Sequence, residues 1–206
     1  MIKNIHQVKE LQQWEVLKRE CVFEGQPWIR LWRETLRLPD GRMVEGYYQL
    51  DQRDYVEIVA WQNGKVLGLW RYKHGPRRVN LGLPAGYLEE EEDALRAARR
   101  ELHEEAGIIS DHWKYLGAFC IDGNRGPARA HICVATDCHG VSSSVSDDLE
   151  EHIGEWLTPE QWRENLELGT VATMGAALAV YSCILRNFQE KGSSTLTVFE
   201  GDIDDQ

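Results

Sequence analysis

No run of this chain is long and apolar enough to cross a bilayer. The least polar stretch, Val171 to Leu185, carries Thr173, Gly175 and Ser182 and falls short of the roughly 18–20 apolar residues that a membrane span requires. Positive charge is also scarce: 23 Lys and Arg stand against 34 Asp and Glu, a formal net charge of −11. No Lys/Arg stripe segregates that charge, so a nucleic-acid partner would be repelled and an anionic substrate would need a cation to mediate. Cys21, Cys120, Cys133, Cys138 and Cys183 include no Cys-x-x-Cys pair and no zinc-finger spacing to His, which suggests neither a disulfide framework nor structural zinc. Lys9, Glu10 and Glu15 fall where a signal peptide would place its apolar segment. The expectation is a cytoplasmic protein with neither membrane nor nucleic acid as partner.

What the chain does contain is ordinary globular material. Of its 206 residues, 42% are hydrophobic and 28% charged, an ordinary globular composition at a length that predicts one domain or one domain with a small appendage. The run WIRLWRETLRLPDGRMVEGYYQL alternates apolar and polar residues around Pro39-Asp40-Gly41 and predicts a β-hairpin. A second hairpin is predicted in YVEIVAWQNGKVLGLWRY, where Asn63-Gly64 is the turn. A strongly charged helix follows, then two strands, LGAFCI and AHICVA. Thr158-Pro159-Glu160 marks a further helix start, and the Ala-rich segment after Gly169 reads as a buried helix. The boundaries expected are 1–52 for an N-terminal β-rich domain, 53–190 for the main domain and 191–206 for an acidic, loose tail. Strands, a helix, more strands and another helix imply a mixed sheet with helices on both faces.

The charged helix, expected over Glu91 to Ala106 and ended by Gly107, carries the chemistry. With Ala98 at zero and about 100° per residue, Ala94, Leu95 and Leu102 fall at about −40°, +60° and +40° and form the core-facing stripe. On the same wheel Glu105 lies at about −20° and Glu101 at about −60°, while Glu104 points outward at about −120°. An acidic run is ordinarily a solvated face with i,i+4 pairs, here Glu92 with Arg96 and Arg100 with Glu104. Two carboxylates turned toward the protein are different. Burying them without a partner costs several kcal/mol or forces protonation, so Glu101 and Glu105 call for a cation between them. Oxygen donors of this kind select Mg²⁺ or Mn²⁺.

Gly86, Glu92, Arg100, Glu101, Leu102, Glu104, Glu105, Gly107 and Ile108 resemble the Nudix box, Gly-x5-Glu-x7-Arg-Glu-U-x-Glu-Glu-x-Gly-U with U apolar, at every fixed position. TLRLPDG, YVEIVAW, GLWRYKHG, LGLPAGYLE and the acidic loop before EWLTPEQ are similar to the ADP-ribose pyrophosphatase-like branch of that superfamily. The resemblance implies an α+β fold, a Nudix-type α/β/α sandwich with a mixed sheet behind a small N-terminal β-hairpin domain, commonly assembled as a homodimer. It implies hydrolysis of ADP-ribose or a related nucleoside diphosphate sugar to a nucleoside monophosphate and a sugar phosphate. NADH, a dinucleoside polyphosphate or GDP-mannose are the alternative substrates, and a non-catalytic ADP-ribose sensor is the rival from another class.

By the same resemblance, Glu101, Glu104 and Glu105 with the carbonyl of Ala85 hold the divalent metal, Mg²⁺ or Mn²⁺, and Arg100 orients the carboxylates. Glu92 is either a supporting ligand or a stabiliser of the helix N-terminus. The general base falls in VSDDLEEHIGEW, on Glu150 or Glu151. Trp28, with Tyr47 as second candidate, stacks on adenine. Lys73 stands where the family has a phosphate-contacting Arg and lacks its bidentate fork. Arg129 fits the substrate-binding pattern. Gly82 replaces the Glu of many relatives, and Gly123-Asn124 replaces their Pro-Gly.

Overall fold

The turn signal at Pro39-Asp40-Gly41 joins two strands, and a third strand pairs with them. In the computed structural model, which describes residues 11–141 and 151–185, β1 (Glu15–Gly25), β2 (Ile29–Arg37) and β3 (Met43–Asp51) form an antiparallel sheet in that order. Charge sets how β1 pairs with β2. Glu15, Glu20 and Glu24 lie opposite Arg37, Arg33 and Arg30 and form ion pairs of 2.9, 2.5 and 2.9 Å. Each exposed pair contributes only about 0.2–1 kcal/mol, yet a slipped register would set like charges side by side. This first unit also takes up Cys120–Arg129: Leu50 N–H donates to the Arg125 carbonyl at 3.0 Å and Gln52 N–H to that of Pro127 at 2.7 Å.

The second unit comprises, among the described residues, Asp54–Phe119 and the residues from 130 to 141 and from 151 to 185. Its elements are β4 (Tyr55–Gln62), β5 (Lys65–Lys73), β6 (Arg78–Gly82), β7 (Ala85–Tyr87), α1 (Ala94–Ala106), β8 (Ile108–Ile109), β9 (His112–Cys120), β10 (Arg129–Thr136), β11 (His139–Gly140), β12 (His152–Leu157), α2 (Pro159–Glu167) and α3 (Met174–Leu185). The main sheet runs β12-β5-β4-β10-β9, with β6 on β5 and β7 on β4. It is mixed, since β4 and β10 are parallel while β4–β5 and β5–β12 are antiparallel. Asn63 and Gly64 turn β4 into β5 with φ of 49° and 74°, the left-handed pair that a two-residue hairpin loop needs.

Strand β4 is buried on both faces, and its alternation divides the core in two. Val56, Ile58 and Ala60 pack with Ala97, Ala98 and Leu102 of α1. Val59 and Trp61 pack with Trp162 of α2 and Ala176, Ala179 and Val180 of α3. The result is an α/β/α sandwich. At about 25 cal/mol per Å² of apolar surface, such two-sided burial is the main stabilising contribution to the unit.

Helix α1 starts three residues later than its sequence pattern suggests. Glu91 takes a left-handed φ of 61°, and Asp93 caps instead, its side chain accepting from Leu95 N–H at 3.0 Å and Arg96 N–H at 2.9 Å. Gly107 ends the helix in the left-handed region at φ 62°. Glu92, left outside the helix, binds Arg100 rather than Arg96, and Arg96 pairs with Asp93.

Strands β4 and β5 pair only beside their turn, at Trp61–Val66 and Gln62–Lys65. Farther on, β7 takes the edge of β4 and β6 the edge of β5. The wedge so opened faces the acidic end of α1. No helix of the described residues is long and apolar enough to cross a membrane.

Candidate active site

Arg100 organises one side of this wedge. Its Nε and Nη2 donate to the two oxygens of Glu92 at 3.1 and 2.8 Å, and Nη1 donates to Glu101 at 2.7 Å and Glu104 at 3.1 Å. Nη2 also reaches the carbonyl of Tyr87 at 3.0 Å, tying α1 to β7. These bonds, that to Glu92 foremost, hold the guanidinium in its charged form. Glu101 is 13% exposed and Glu104 50%, the order that the helical wheel requires. Burial raises the pKa of the Glu101 carboxyl above the usual carboxylate range, against the opposing pull of Arg100.

Glycine at position 86 follows from Glu101. A Cβ there would lie 1.9 Å from the Glu101 carboxyl carbon and 2.0 and 2.2 Å from its oxygens, far inside contact distance. The backbone of β7 therefore forms a wall against which this carboxylate lies.

Glu105 is the most enclosed of the helix carboxylates. It pairs with Arg71 of β5, each side chain 4% exposed, and accepts from Ala85 N–H at 3.0 Å. The second arm of Arg71 donates to the Leu83 carbonyl at 2.9 Å, so one guanidinium joins β5, the β6–β7 segment and α1.

A cavity of about 240 Å³ opens beside these groups, with Tyr55, Glu57, Lys73, Asn80, Ala85 and Thr173 in its lining. Glu57 points from β4 to the α3 side, where its carboxylate lies so close to Gly175 that a Cβ there would fall 2.6 Å away. Burial pushes its pKa up to about 8, with Arg71 pulling down, Glu105 pushing up and Lys73 pulling down in turn. Burial beside Glu57 and Tyr87 likewise pushes the Tyr55 phenol up to about 12.

The structure thus gathers Glu101 and Glu104 on Arg100 and holds Glu105 against Ala85 N–H and Arg71, with Lys73 in the cavity lining. Trp28 and Tyr47 belong to the first unit. Trp28 sits in the β1–β2 turn, 61% exposed, and the Tyr47 hydroxyl donates to the Asn124 carbonyl at 2.7 Å. Arg129 opens β10. Glu151 is exposed just before β12, and Glu150 lies outside the described residues. Sequence reasoning missed Arg71, Glu57 and Tyr55. The available signal was a polar residue inside the otherwise apolar run of a strand sandwiched between helices.

The model of the NUDIX domain matches residues 51–174, more than half of the chain. The chain belongs to the Nudix family. It is a Nudix hydrolase, an enzyme acting on pyrophosphate bonds, and its likeness runs to the ADP-ribose pyrophosphatase-like branch. It is 23% identical to the ADP-ribose pyrophosphatase of Bacillus subtilis (strain 168) over 146 residues, which cover 71% of this chain and 78% of that protein. Over 139 residues, 68% of this chain and 75% of the other, it is 23% identical to the methanol dehydrogenase activator of Bacillus methanolicus. Among solved structures, an ADP compounds hydrolase superposes with a TM-score of 0.75 at 21% identity, covering 86% of this chain and 94% of that one; it shares the fold.

Nudix hydrolases generally use divalent metals, and the residues of this site fit one. Ala85 O and the carboxylates of Glu101, Glu104 and Glu105 are all hard oxygen donors. The single Arg100 guanidinium meets Glu89 at 3.9 Å as well as Glu92, Glu101 and Glu104, an excess of negative charge that a cation would offset. The carboxylates are turned onto Arg100 and Arg71, and among the described residues no group of three acidic, His or Cys side chains converges on one point.

Proposed function

We propose that this Nudix hydrolase is a Mg²⁺-dependent pyrophosphohydrolase, with Mn²⁺ as substitute, that cleaves ADP-ribose or a related nucleoside diphosphate sugar to a nucleoside monophosphate and a sugar phosphate. The observation that carries the reading is the clamp of Arg100 on Glu92, Glu101 and Glu104 beside a glycine whose place no side chain could take. A divalent cation supplies charge neutralisation of the pyrophosphate and acidification of the attacking water.

The chain's own residues supply the remainder. Arg100 sets the direction of Glu101 and Glu104, while Arg71 and Ala85 N–H fix Glu105. Lys73 offers a positive charge to a phosphate entering the cavity. Glu151 or Glu150 accepts the proton of the attacking water. Trp28 or Tyr47 stacks on the base, a contact worth about 1–3 kcal/mol, and Arg129 contributes to substrate binding. Support for a sugar nucleotide comes from the likeness to the ADP-ribose pyrophosphatase of Bacillus subtilis. A homodimer in the cytoplasm completes the proposal.

The test is a substrate panel of ADP-ribose, other nucleoside diphosphate sugars, NADH and dinucleoside polyphosphates, each with Mg²⁺ and with Mn²⁺, and product identification. The expected products are a nucleoside monophosphate and a sugar phosphate. Preference for a dinucleoside polyphosphate, or binding without turnover, would replace the reading.

A further inference from the structure

Glu57 feels the charges of Arg71 and Glu105 but makes no ion pair or hydrogen bond with Arg100, Arg71 or Glu105 among the described residues, although it is a charged-type side chain buried within the unit. It is 5% exposed and lines the cavity, and among the described residues no hydrogen bond reaches its carboxylate. A buried carboxyl left so costs several kcal/mol. A strand that packs against helices on both faces would be more stable with an apolar residue there.

The surroundings have been cleared for it. Gly175 of α3 has room for nothing larger, since a Cβ would come within 2.6 Å of the Glu57 carboxylate and 2.8 Å of the Tyr55 hydroxyl. A Cβ on Gly82, also in the lining, would meet nothing within 4 Å. Tyr55, Lys73, Asn80 and Thr173 complete a lining in which hydrogen-bonding side chains surround Glu57.

Size narrows the occupant. Pockets for drug-sized molecules run to about 300–1,000 Å³, and this one is about 240 Å³. It takes one small ring and not a second nucleotide. Its polar lining suits a ring bearing several hydroxyl groups, and Lys73 on the same wall suits the phosphate to which that ring is attached.

We propose that this cavity receives the non-nucleoside half of the substrate, and that Glu57 is a specificity-determining residue which takes a sugar hydroxyl as its hydrogen-bond partner. The inference rests on the reading of the chain as a hydrolase of nucleoside diphosphate derivatives, and deepens it by assigning what the leaving half must offer: hydroxyl groups, at a fixed distance from the phosphate.

The test compares ADP-ribose, ADP-glucose and ADP ethyl ester, which share the scissile bond and differ in hydroxyl groups, on wild type, Glu57→Ala and Glu57→Gln with Mg²⁺ present. Circular dichroism and Tm establish that each variant is folded. Glu57→Ala is expected to lower kcat/KM for at least one of the sugar compounds by about 10- to 100-fold, the scale of a buried hydroxyl left without its hydrogen-bond partner. The loss should fall mainly in KM and exceed the loss on the ethyl ester at least tenfold. Glu57→Gln, which still accepts a hydrogen bond, should recover part of it. Gly175→Ala, which displaces the same carboxylate, should show the same selective loss. An equal loss on all three compounds, or none, overturns the inference. Wild-type cleavage of the ethyl ester alone overturns it while leaving the hydrolase reading intact. Cleavage of no compound by the wild type removes that reading and the inference with it.

Discussion

The Arg71 guanidinium and the Glu105 carboxylate meet in the interior with 4% of each side chain exposed, and the same guanidinium reaches the Leu83 carbonyl. Removing one partner of such a pair leaves a buried charge uncompensated, at a cost of about 3–5 kcal/mol. Arg71→Met is therefore expected to lower the unfolding free energy by about that amount, measured by urea denaturation of the metal-free protein. A loss under about 1 kcal/mol would show that Glu105 finds another partner or protonates freely.

The carboxylates themselves are expected to act through the metal. Glu101→Gln and Glu105→Gln should each lose about 10²- to 10⁴-fold in turnover, the scale of a lost metal or acid/base contribution. Stability gives an independent measure. At Mg²⁺ a hundredfold above its Kd the wild type should gain about 2.7 kcal/mol, seen as a rise in Tm, and Glu101→Gln should show little of that rise. A variant with full turnover and a full Tm response would remove Glu101 from the site.

Gly86→Ala is a smaller change with an expected effect out of proportion to its size. The added carbon would fall 1.9 Å from the Glu101 carboxyl carbon, so either β7 or that carboxylate has to move by about 1 Å, and a misplacement of this order costs about 10²-fold in rate. The variant should fold, by circular dichroism, and lose about 10²-fold in kcat. Wild-type kcat would mean that the carboxylate is not positioned by this wall.

Glu57 makes stability depend on pH in an unusual sense. Its pKa is raised from 4.5 to about 8 on folding, first by burial, so the native state holds a proton that the unfolded chain gives up. Its contribution is fully present below pH 4.5 and is lost as pH rises to about 8. Metal-free wild type should therefore lose stability relative to Glu57→Gln across that interval, measured by denaturation at successive pH values. A difference that stays flat from pH 4.5 to 8 would mean that the carboxyl titrates normally.

What could be read from the sequence was what acts locally. Asn63-Gly64, the Gly107 cap and the Thr158-Pro159 helix start depend on residues within about four positions of one another, and each lies where its pattern places it. The inward turn of Glu101 and Glu105 follows from the wheel because Ala98 and Leu102 anchor the same face. The start of α1 was harder, because Glu91 and Glu92 are good helix formers and only the side chain of Asp93 decides between them. Strand β1 hides its pairing in charges that make sense only opposite β2. A polar residue inside an apolar strand run signals Arg71 and Glu57, but the partners of Arg71, Glu105 and the Leu83 carbonyl, are brought to it by tertiary packing and cannot be read from that run. Glu150 falls outside the described residues, and the choice between it and Glu151 belongs to the proposal.

The bond from Arg71 to Glu105 joins three segments of chain with a counter-charge that the polypeptide supplies itself. A scaffold built this way has no need of an ion to finish folding. Under the proposed function, loss of the divalent ion would then halt catalysis while leaving the fold intact, and its return would restore activity without new synthesis.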